Sequence, residues 1–412
     1  GAQGNNRGGS ARLQGDVRGR IDQTNSATTQ RSQKVEAGSL VNGNVSNLRT
    51  EGVINANITQ SATGSGSLGA QSIGVGSVSS STLSTATTRG SLTGIVTQSV
   101  SDGALRGDAS QRIDAGGIAD SRVSNATTRG TISSEITQTR AGGVGEQSIG
   151  VGSIRGVNGG GVVNTSGTLS GRVNQSASTN ISQRVEVGSV VGGTPANAVT
   201  DARVSADITQ SSSGIGGTDT RQTVEAGVIS GATGTADTAA SISGRVNQIN
   251  QGSSSLQQNV QVGGATGTAG SVLTTGSLSG TVTQSAAAAT GAVQNLSVGS
   301  AIGTSGRTET FGAVFGNVNQ NVLGGSNNKQ VISVGNAEGT SGDVGTRALV
   351  TGTLNQNASN AFNGQQSINL GSVKNVSTGS VRTDVTLSGN ITQSQTGGGG
   401  KQNVLVGGVE GQ

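Results

Sequence analysis

Aliphatic and polar residues alternate along the chain in a pattern that recurs eleven times, and each copy of the pattern ends in a glutamine. The residue two before this glutamine is Ile, Val or Leu, the residue four before it is small, and the residue six before it is again aliphatic. A period of two places alternate side chains on opposite faces of a β-strand. The pattern therefore predicts one strand per repeat with one buried face and one exposed face.

These glutamines form the first column of the repeat, at intervals of about 37 residues along the chain. The first-column glutamines are Gln23, Gln60, Gln98, Gln138, Gln175, Gln210, Gln248, Gln284, Gln320, Gln356 and Gln393. Facing strands can approach closely only where one side carries little bulk. We therefore expect the small residues four positions earlier, such as Gly94, Ser134 and Ala206, to let the coil be flat and thin.

A second glutamine follows each first one after 8 to 13 residues, beyond a variable Ser/Gly/Asn/Thr-rich segment that indicates a loop. The residue two after it is Val, Ile or Leu, which predicts a second strand. The residue five after it is Gly in every repeat, where the alternation breaks by one, so a bend or bulge is predicted there. The second-column glutamines are Gln33, Gln71, Gln111, Gln147, Gln183, Gln222, Gln258, Gln294, Gln330, Gln366 and Gln402. The bend glycines are Gly38, Gly76, Gly116, Gly152, Gly188, Gly227, Gly263, Gly299, Gly335, Gly371 and Gly407.

A unit of this length with short strands cannot bury its own apolar face, whereas stacked copies can, because equivalent residues then lie above one another. The sequence predicts an all-β fold: a single β-solenoid domain over residues 1–412, with eleven stacked coils and two to three short strands in each. A short third strand is expected between repeats, around Leu83 and Val123.

The glutamine columns have two interpretations. In the structural one, each side-chain amide donates to its neighbour in one adjacent coil and accepts from the other, so that buried amides are satisfied and the stacking register is fixed. In the functional one, the glutamines bind a ligand. The structural interpretation is favoured because every repeat carries both glutamines.

Composition narrows the function further. Aromatic residues are 1% of the chain and hydrophobic residues 30%, below the level usual for globular domains. The chain has no Cys, His or Met, which removes most ligands for zinc, copper, haem and iron–sulfur clusters, and its carboxylates are dispersed. We expect no metal, no cofactor and no enzymatic activity. The net charge is +4 without a run of basic residues, so binding to nucleic acid is not expected. No apolar run approaches the length of about 18 residues that a membrane span needs, so none is expected.

Two outward-facing columns next to the first glutamine also carry information. Three residues before it, repeats four to seven contain Glu135, Arg172, Asp207 and Arg245, whose charges alternate as in-register stacking would favour. Chance placement of solvated charges is the alternative.

Directly before the glutamine lies a column of Thr and Asn, a pattern that ice-binding solenoids also display in a more regular form.

The ends of the chain suggest how copies could associate. We expect residues 1–12 of one subunit to complete the coil left open at residues 409–412 of another, a head-to-tail contact that does not close and so produces a filament. The subunit interface residues predicted on this basis are Gly1, Arg12, Val409 and Gln412.

With its paired glutamines, such as Gln98 and Gln111, its small inward column and its strand–loop–strand unit, the chain resembles bacterial functional-amyloid fibre subunits of the curli and Fap classes. The resemblance implies an extracellular location after removal of a signal peptide, with an outer-membrane exporter and a nucleator as partners. We therefore expect a structural subunit that polymerises head-to-tail into an extracellular cross-β filament of a biofilm matrix, sheath or surface fibre. The alternative is a secreted monomeric β-helical adhesin or surface-binding stalk.

Overall fold

The structure is a computed structural model that describes residues 9–26, 31–63, 69–101, 108–156, 161–179, 181–214, 218–252, 254–377 and 379–410. These residues form strands in three parallel sheets and no helix, which confirms the predicted β-solenoid with its repeat of about 37 residues. We number the coils 1 to 11 by their first-column glutamine, from Gln23 to Gln393.

The first sheet carries the first glutamine column. Its strands are Ser10–Asn25, Asn44–Thr63, Thr82–Ser101, Arg122–Ala141, Val162–Ala177, Asn197–Val204, Asp207–Ser212, Ala236–Ile242, Arg245–Gln251, Val272–Leu278, Thr281–Ala287, Thr308–Val314, Asn317–Leu323, Val344–Val350, Thr353–Ser359, Val381–Leu387 and Asn390–Gln395. Coils 1 to 5 thus contribute one long strand each to this sheet, and coils 6 to 11 contribute two shorter ones.

The second sheet carries the second glutamine column, and the third sheet follows the bend glycines. The strands of the second sheet are Arg31–Ala37, Gly69–Val75, Asp108–Ala115, Val144–Val151, Ser182–Val187, Thr218–Ala226, Ser254–Val262, Val293–Val298, Lys329–Val334, Gln365–Leu370 and Lys401–Val406. Those of the third sheet are Leu40–Val41, Val78–Ser79, Ile118–Ala119, Ile154–Arg155, Val190–Val191, Ile229–Ser230, Ala265–Thr266, Ala301–Ile302, Ala337–Glu338, Val373–Lys374 and Val409–Glu410.

The third strand of a coil is not where the sequence placed it. Leu83 and Val123 lie near the start of the long strands Thr82–Ser101 and Arg122–Ala141, so that segment is continuous with the first strand of the next repeat. The third sheet is formed instead by two residues that begin two positions after each bend glycine. The reason is that the backbone turns at the glycine, so that an aliphatic side chain such as Val78 packs against the inner face of the first sheet.

Each strand pairs in register with its equivalent in the next coil, so that Gln60 lies between Gln23 and Gln98. The interior contains two main apolar regions. The larger region lies between the C-terminal part of each coil's first-sheet segment and the second sheet, and it includes Ile58 and Ile73. The smaller region lies between the N-terminal part of each coil's first-sheet segment and the third sheet, and it includes Leu48 and Val78.

In coils 1 to 5, 8 and 9, which have Gly eight residues before the first-column glutamine, the two regions are separated by a line of contact between two backbones; the other coils have Ala or Val at this position. A Cβ on Gly52, eight residues before its glutamine, would lie 2.2 Å from the amide nitrogen of Gly76, the bend glycine of the same coil. A Cβ on Gly76 would lie 1.8 Å from the carbonyl oxygen of Arg89 in the next coil. Gly76 also has φ of 57°, and all eleven bend glycines have φ between 53° and 64°. The backbone conformation therefore favours glycine at every bend, and at Gly76 sterics require it as well.

The small residues four before the first glutamine have a different role from the one expected. The close approach of facing strands occurs at the glycines just described. A Cβ on Gly316 would instead lie 1.7 Å from the carbonyl oxygen of Gly280, its equivalent in the previous coil. The amides of Phe315 and Gly316 both donate to the carbonyl of Leu278, at 2.8 and 3.3 Å, where the first sheet bends. The small side chain is therefore required by the coil stacked below.

Substituting Gly76 by Ala tests the backbone contact. We expect the free energy of unfolding to fall by about 3 kcal/mol or more, since a clash with Arg89 adds to the cost of a positive φ. Gly267→Ala is the matched control, because Gly267 has φ of 61° but no atom within 4 Å of the place where its Cβ would lie. The control should lose about 1 kcal/mol. Equal losses in denaturant titrations of the two variants would contradict the contact.

Candidate functional site

The two glutamine columns are continuous hydrogen-bonded ladders inside the solenoid. In all ten steps of the first column, Nε2 of each glutamine donates to Oε1 of the equivalent glutamine one coil earlier, at 2.7–2.9 Å. The second column repeats this arrangement over its ten steps, at 2.7–2.9 Å. From coil 2 to coil 10 these side chains are buried.

The same amides also tie the first sheet to the second. Nε2 of Gln320 donates to the carbonyl of Val331, one residue after the second-column glutamine of its coil, at 3.0 Å. Nε2 of Gln330 donates to the carbonyl of Asn357, one residue after the first-column glutamine of the next coil, at 3.2 Å. Each of these amides therefore satisfies its two N–H groups on two different neighbours, which leaves it no free donor for a ligand.

The ladders have a direction. Every glutamine-to-glutamine N–H is directed toward the coil before it, so coil 11 presents the oxygens Oε1 of Gln393 and Gln402 with no glutamine beyond them in the described chain. At the other end, Gln23 donates to the carbonyl of Lys34 at 3.2 Å and has no glutamine below it among the described residues. One end of the stack therefore offers amide acceptors and the other an amide donor.

A threonine column that the sequence analysis missed supports the bend glycines. Ten residues before the first-column glutamine the residue is Thr in every repeat except the first, which has Leu13. The hydroxyl of Thr346 donates to the carbonyl of Gly371 at 2.7 Å, and that of Thr50 to the carbonyl of Gly76 at 2.6 Å. The signal was the Thr at a fixed distance from the glutamine. Its partner could not be inferred, since it lies 25 residues further along the chain for Thr346.

An ion-pair cluster lies on the outer side of the second sheet, beside the third. Arg155 binds Glu186 of the next coil at 3.0 Å and Glu146 at 3.2 Å. Arg184 contacts Glu186 and also binds Glu225 of the following coil at 2.9 Å. The cluster thus connects coils 4, 5 and 6 by charges of opposite sign.

Burial raises the pKa of Glu186, whose side chain is only 2% exposed, and the guanidinium groups of Arg155 and Arg184 act in the opposite direction. For Arg155, burial acts to lower the pKa, but the carboxylates of Glu186 and Glu146 outweigh it and raise the pKa above its ordinary value. Loss of hydration thus decides the direction of the pKa shift for Glu186, and the neighbouring carboxylates decide it for Arg155. Each arginine of the cluster contacts two carboxylates, and the cluster contains no nucleophile next to a general base.

The end coils expose the apolar side chains that the coils between them bury. In coil 11, Leu387, Val404, Val406 and Val409 are 40–50% exposed. Their equivalents in coil 10, which are Val350, Ile368, Leu370 and Val373, are fully buried. In coil 1, Val17 and Ile21 are half-buried, whereas the equivalent Ile54 and Ile58 of coil 2 are buried. These two faces are the surfaces that a further coil would cover.

The predicted interface residues are distributed unevenly over these faces. Val409 lies on the open face of coil 11 and is 50% exposed. Arg12 lies within the first strand of its own coil 1, with its side chain directed outward and 4.0 Å from Glu51. Residues 10–12 therefore already belong to the stack of their own chain. Gly1 and Gln412 lie outside the described residues.

No group of three His, Cys, Asp or Glu side chains that could hold a metal ion occurs within the described residues. The same part of the chain contains no helix long and apolar enough to span a membrane. No protein-family model, no curated protein and no solved structure matches the chain.

Replacing a ladder glutamine in the middle of the stack should be more costly than replacing one at its end. Gln138→Ala leaves Gln98 Oε1 without its donor and Gln175 Nε2 without its acceptor, and both side chains are buried. We expect a loss of about 3–5 kcal/mol in denaturant unfolding. Gln393→Ala, next to the open face where water can enter, should lose about 1 kcal/mol. A ligand-binding role alone would predict no such difference in stability.

Two substitutions in the threonine column, one test and one control, check the role of its hydrogen bonds. Thr346→Val removes the hydrogen bond to Gly371 and should cost about 1 kcal/mol. Thr238→Val is the control, because the buried Thr238 hydroxyl has no hydrogen-bond partner, and it should be neutral or stabilising. Thermal unfolding of the two variants checks the difference. A larger loss for Thr238→Val would contradict the assigned role of the column.

Proposed function

We propose that the protein is a structural subunit whose copies stack end to end into a cross-β filament, with coil 1 of one copy on coil 11 of the next. The observation that carries this proposal is the open face of coil 11, where side chains equivalent to fully buried ones are 40–50% exposed. Covering them with an equivalent coil removes apolar surface from water, the dominant favourable term in association. Coil 1 is such an equivalent coil.

The hydrogen-bonding pattern supports the same contact. In the third sheet, the amide of each first residue donates to the coil above, from Leu40 to Ser77 at 2.9 Å up to Val373 to Gly408 at 2.9 Å. Continuing this pattern, the amide of Val409 would donate to the carbonyl of Ser39 in a second copy. Backbone groups at a sheet edge favour such pairing, because they are otherwise unpaired within the sheet.

The hydrogen bonds of the first glutamine column would continue across the same junction. Oε1 of Gln393 would accept from Nε2 of Gln23 in the second copy. Nε2 of Gln366 donates to the carbonyl of Ser394 at 3.0 Å, and the equivalent partner for Gln402 is Thr24 of the second copy. Both ends therefore supply complementary groups at matching positions, so the contact is heterologous and open-ended.

The proposal includes a location outside the cell, in a matrix, sheath or surface fibre, reached with a dedicated exporter and started by a nucleator. It is supported by the resemblance of the paired-glutamine repeat to secreted amyloid fibre subunits. A stack held by backbone and amide hydrogen bonds also needs no disulfides, and the chain has no Cys.

Electron microscopy of the purified chain tests the proposal directly. We expect unbranched filaments whose fibre diffraction has an axial spacing of about 4.7–4.8 Å. Val404→Asp should abolish them, because the carboxylate is solvated on the open face of a single rod but would be buried and unpaired in the junction. Isolated rods of about 50 Å from the unsubstituted chain would overturn the proposal and favour the monomeric adhesin.

Two controls separate assembly from folding. Val199→Asp changes a side chain of similar exposure, 44%, on the outer side of the first sheet, and filaments should persist. Val17→Asp should block the opposite end of the stack. A mixture of the Val404→Asp and Val17→Asp variants should then form end-to-end pairs but no filaments, because the unblocked coil 1 and the unblocked coil 11 are both used up in one junction.

A further inference from the structure

A flat polar surface runs the length of the solenoid on the outer side of the first sheet. We call it the ladder face, and define it by the outward positions three and one before, and one and three after, each first-column glutamine. From coil 2 onward its residues are mainly Thr, Ser, Asn and Ala, as in Thr97, Ser99 and Ser101 of coil 3. Charges beyond coil 1 occur only at the position three before the glutamine, in coils 4 to 7.

These four charges are Glu135, Arg172, Asp207 and Arg245, in successive coils. All four residues are exposed, and Nη1 of Arg172 lies 3.4 Å from Oε1 of Glu135 in its own chain, with 68% and 50% of the two side chains exposed. The carboxylate of Asp207 accepts from the main-chain amide of Arg245 at 3.1 Å. From coil 2 onward, most other side chains of this surface are short and uncharged, with Ile95 and Leu323 as larger apolar side chains that are 50% and 56% exposed.

The order of these charges is self-complementary. A two-fold axis along the strand direction brings two ladder faces together with the same column opposite itself and the coil order reversed. With coil 4 opposite coil 7 and coil 5 opposite coil 6, Glu135 faces Arg245 of the second copy. In the same arrangement Arg172 faces Asp207 of the second copy. Each contact occurs twice by symmetry, so each of these four charges faces an opposite charge, and Arg20 of coil 1 faces the uncharged Thr353 of coil 10.

The neighbouring registers are repulsive. A shift by one coil in one direction places Glu135 opposite Asp207 and Arg172 opposite its own equivalent. A shift in the other direction places Arg172 opposite Arg245 and Asp207 opposite its own equivalent. Like charges brought together in this way disfavour the wrong pairing. The charge sequence thus selects one antiparallel register over those next to it.

The rest of the ladder face suits close packing of two sheets. Seven residues along a strand and eleven coils give a surface of about 20 by 50 Å, or roughly 1,000 Å² per copy. A stable interface of standard size buries about 800 Å² per partner. The short Thr, Ser and Asn side chains allow the two sheets to approach, and their hydroxyl and amide groups can hydrogen-bond across the contact.

We infer that two copies of the chain associate laterally through the ladder face, as antiparallel rods held in register by the Glu135–Arg245 and Arg172–Asp207 pairs. This contact uses the side of the stack and none of the end faces. It stands whether or not copies also stack end to end, and in a filament it would join two strands of opposite direction.

Sedimentation velocity of the full-length Val404→Asp variant tests the inference, since that substitution removes end-to-end stacking from the measurement. The variant should be a dimer that dissociates in about 1 M salt, where charges are screened over about 3 Å. Glu135→Arg and Arg245→Glu, each added singly, should weaken the dimer at least about tenfold. The two combined should restore it, because the charges at positions 135 and 245 then exchange signs and again face opposite charges of the second copy.

The combined variant is the decisive measurement. Glu135 and Arg245 lie three coils apart in one chain, about 14 Å, so they cannot pair within it. An effect confined to the Glu135–Arg172 contact of one chain would predict no rescue. Arg307→Glu, which reverses an exposed charge away from the ladder face, is the control and should leave the dimer unchanged. A monomer at all concentrations, or a dimer insensitive to the single reversals, would overturn the inference.

Discussion

The constraint on which the rest of the structure depends is the satisfaction of two buried glutamine amides in every inner coil. A buried amide without partners costs several kcal/mol in an apolar surrounding, and only an equivalent amide one coil away can supply both a donor and an acceptor at the same place. Stacking in register is therefore a requirement of the interior. A slip by one residue along a strand would turn the glutamines to the outer face and leave the carbonyls they bind unpaired.

The second constraint is the contact between two backbones that divides the interior. Because Gly52 and Gly76 meet without side chains, the chain can fold its second and third sheets against one continuous first sheet. A composition poor in aromatic residues is consistent with this geometry, since the apolar side chains of both interior regions are Val, Ile, Leu and Ala. Thr side chains then satisfy most of the bend carbonyls that this folding brings inside.

Charged side chains connect coils of one chain in one place and, in the lateral contact that we infer, two molecules in another. The Arg155–Glu186–Arg184 cluster is largely buried and connects coils of one chain. The Glu135–Arg245 column is exposed on a flat surface and its order is self-complementary under a two-fold axis. Together with the open faces of coils 1 and 11, these features give one rod three surfaces suited to other copies of itself. The proposed structural role follows from these surfaces.

The sequence by itself determined the class of fold, because alternation with period two specifies a strand and repetition at about 37 residues specifies a stack. It also determined which glutamines and glycines are equivalent, since equivalence is a matter of spacing along the chain. Only the tertiary structure decided which backbone segments touch. Ala56, four before Gln60, and Gly52, eight before it, are both small, and the facing strand alone selects Gly52 for the close contact. The tertiary structure likewise decided the hydrogen-bond partner of Thr346 and the position of the third sheet, because spacing along a strand does not specify what lies across from it.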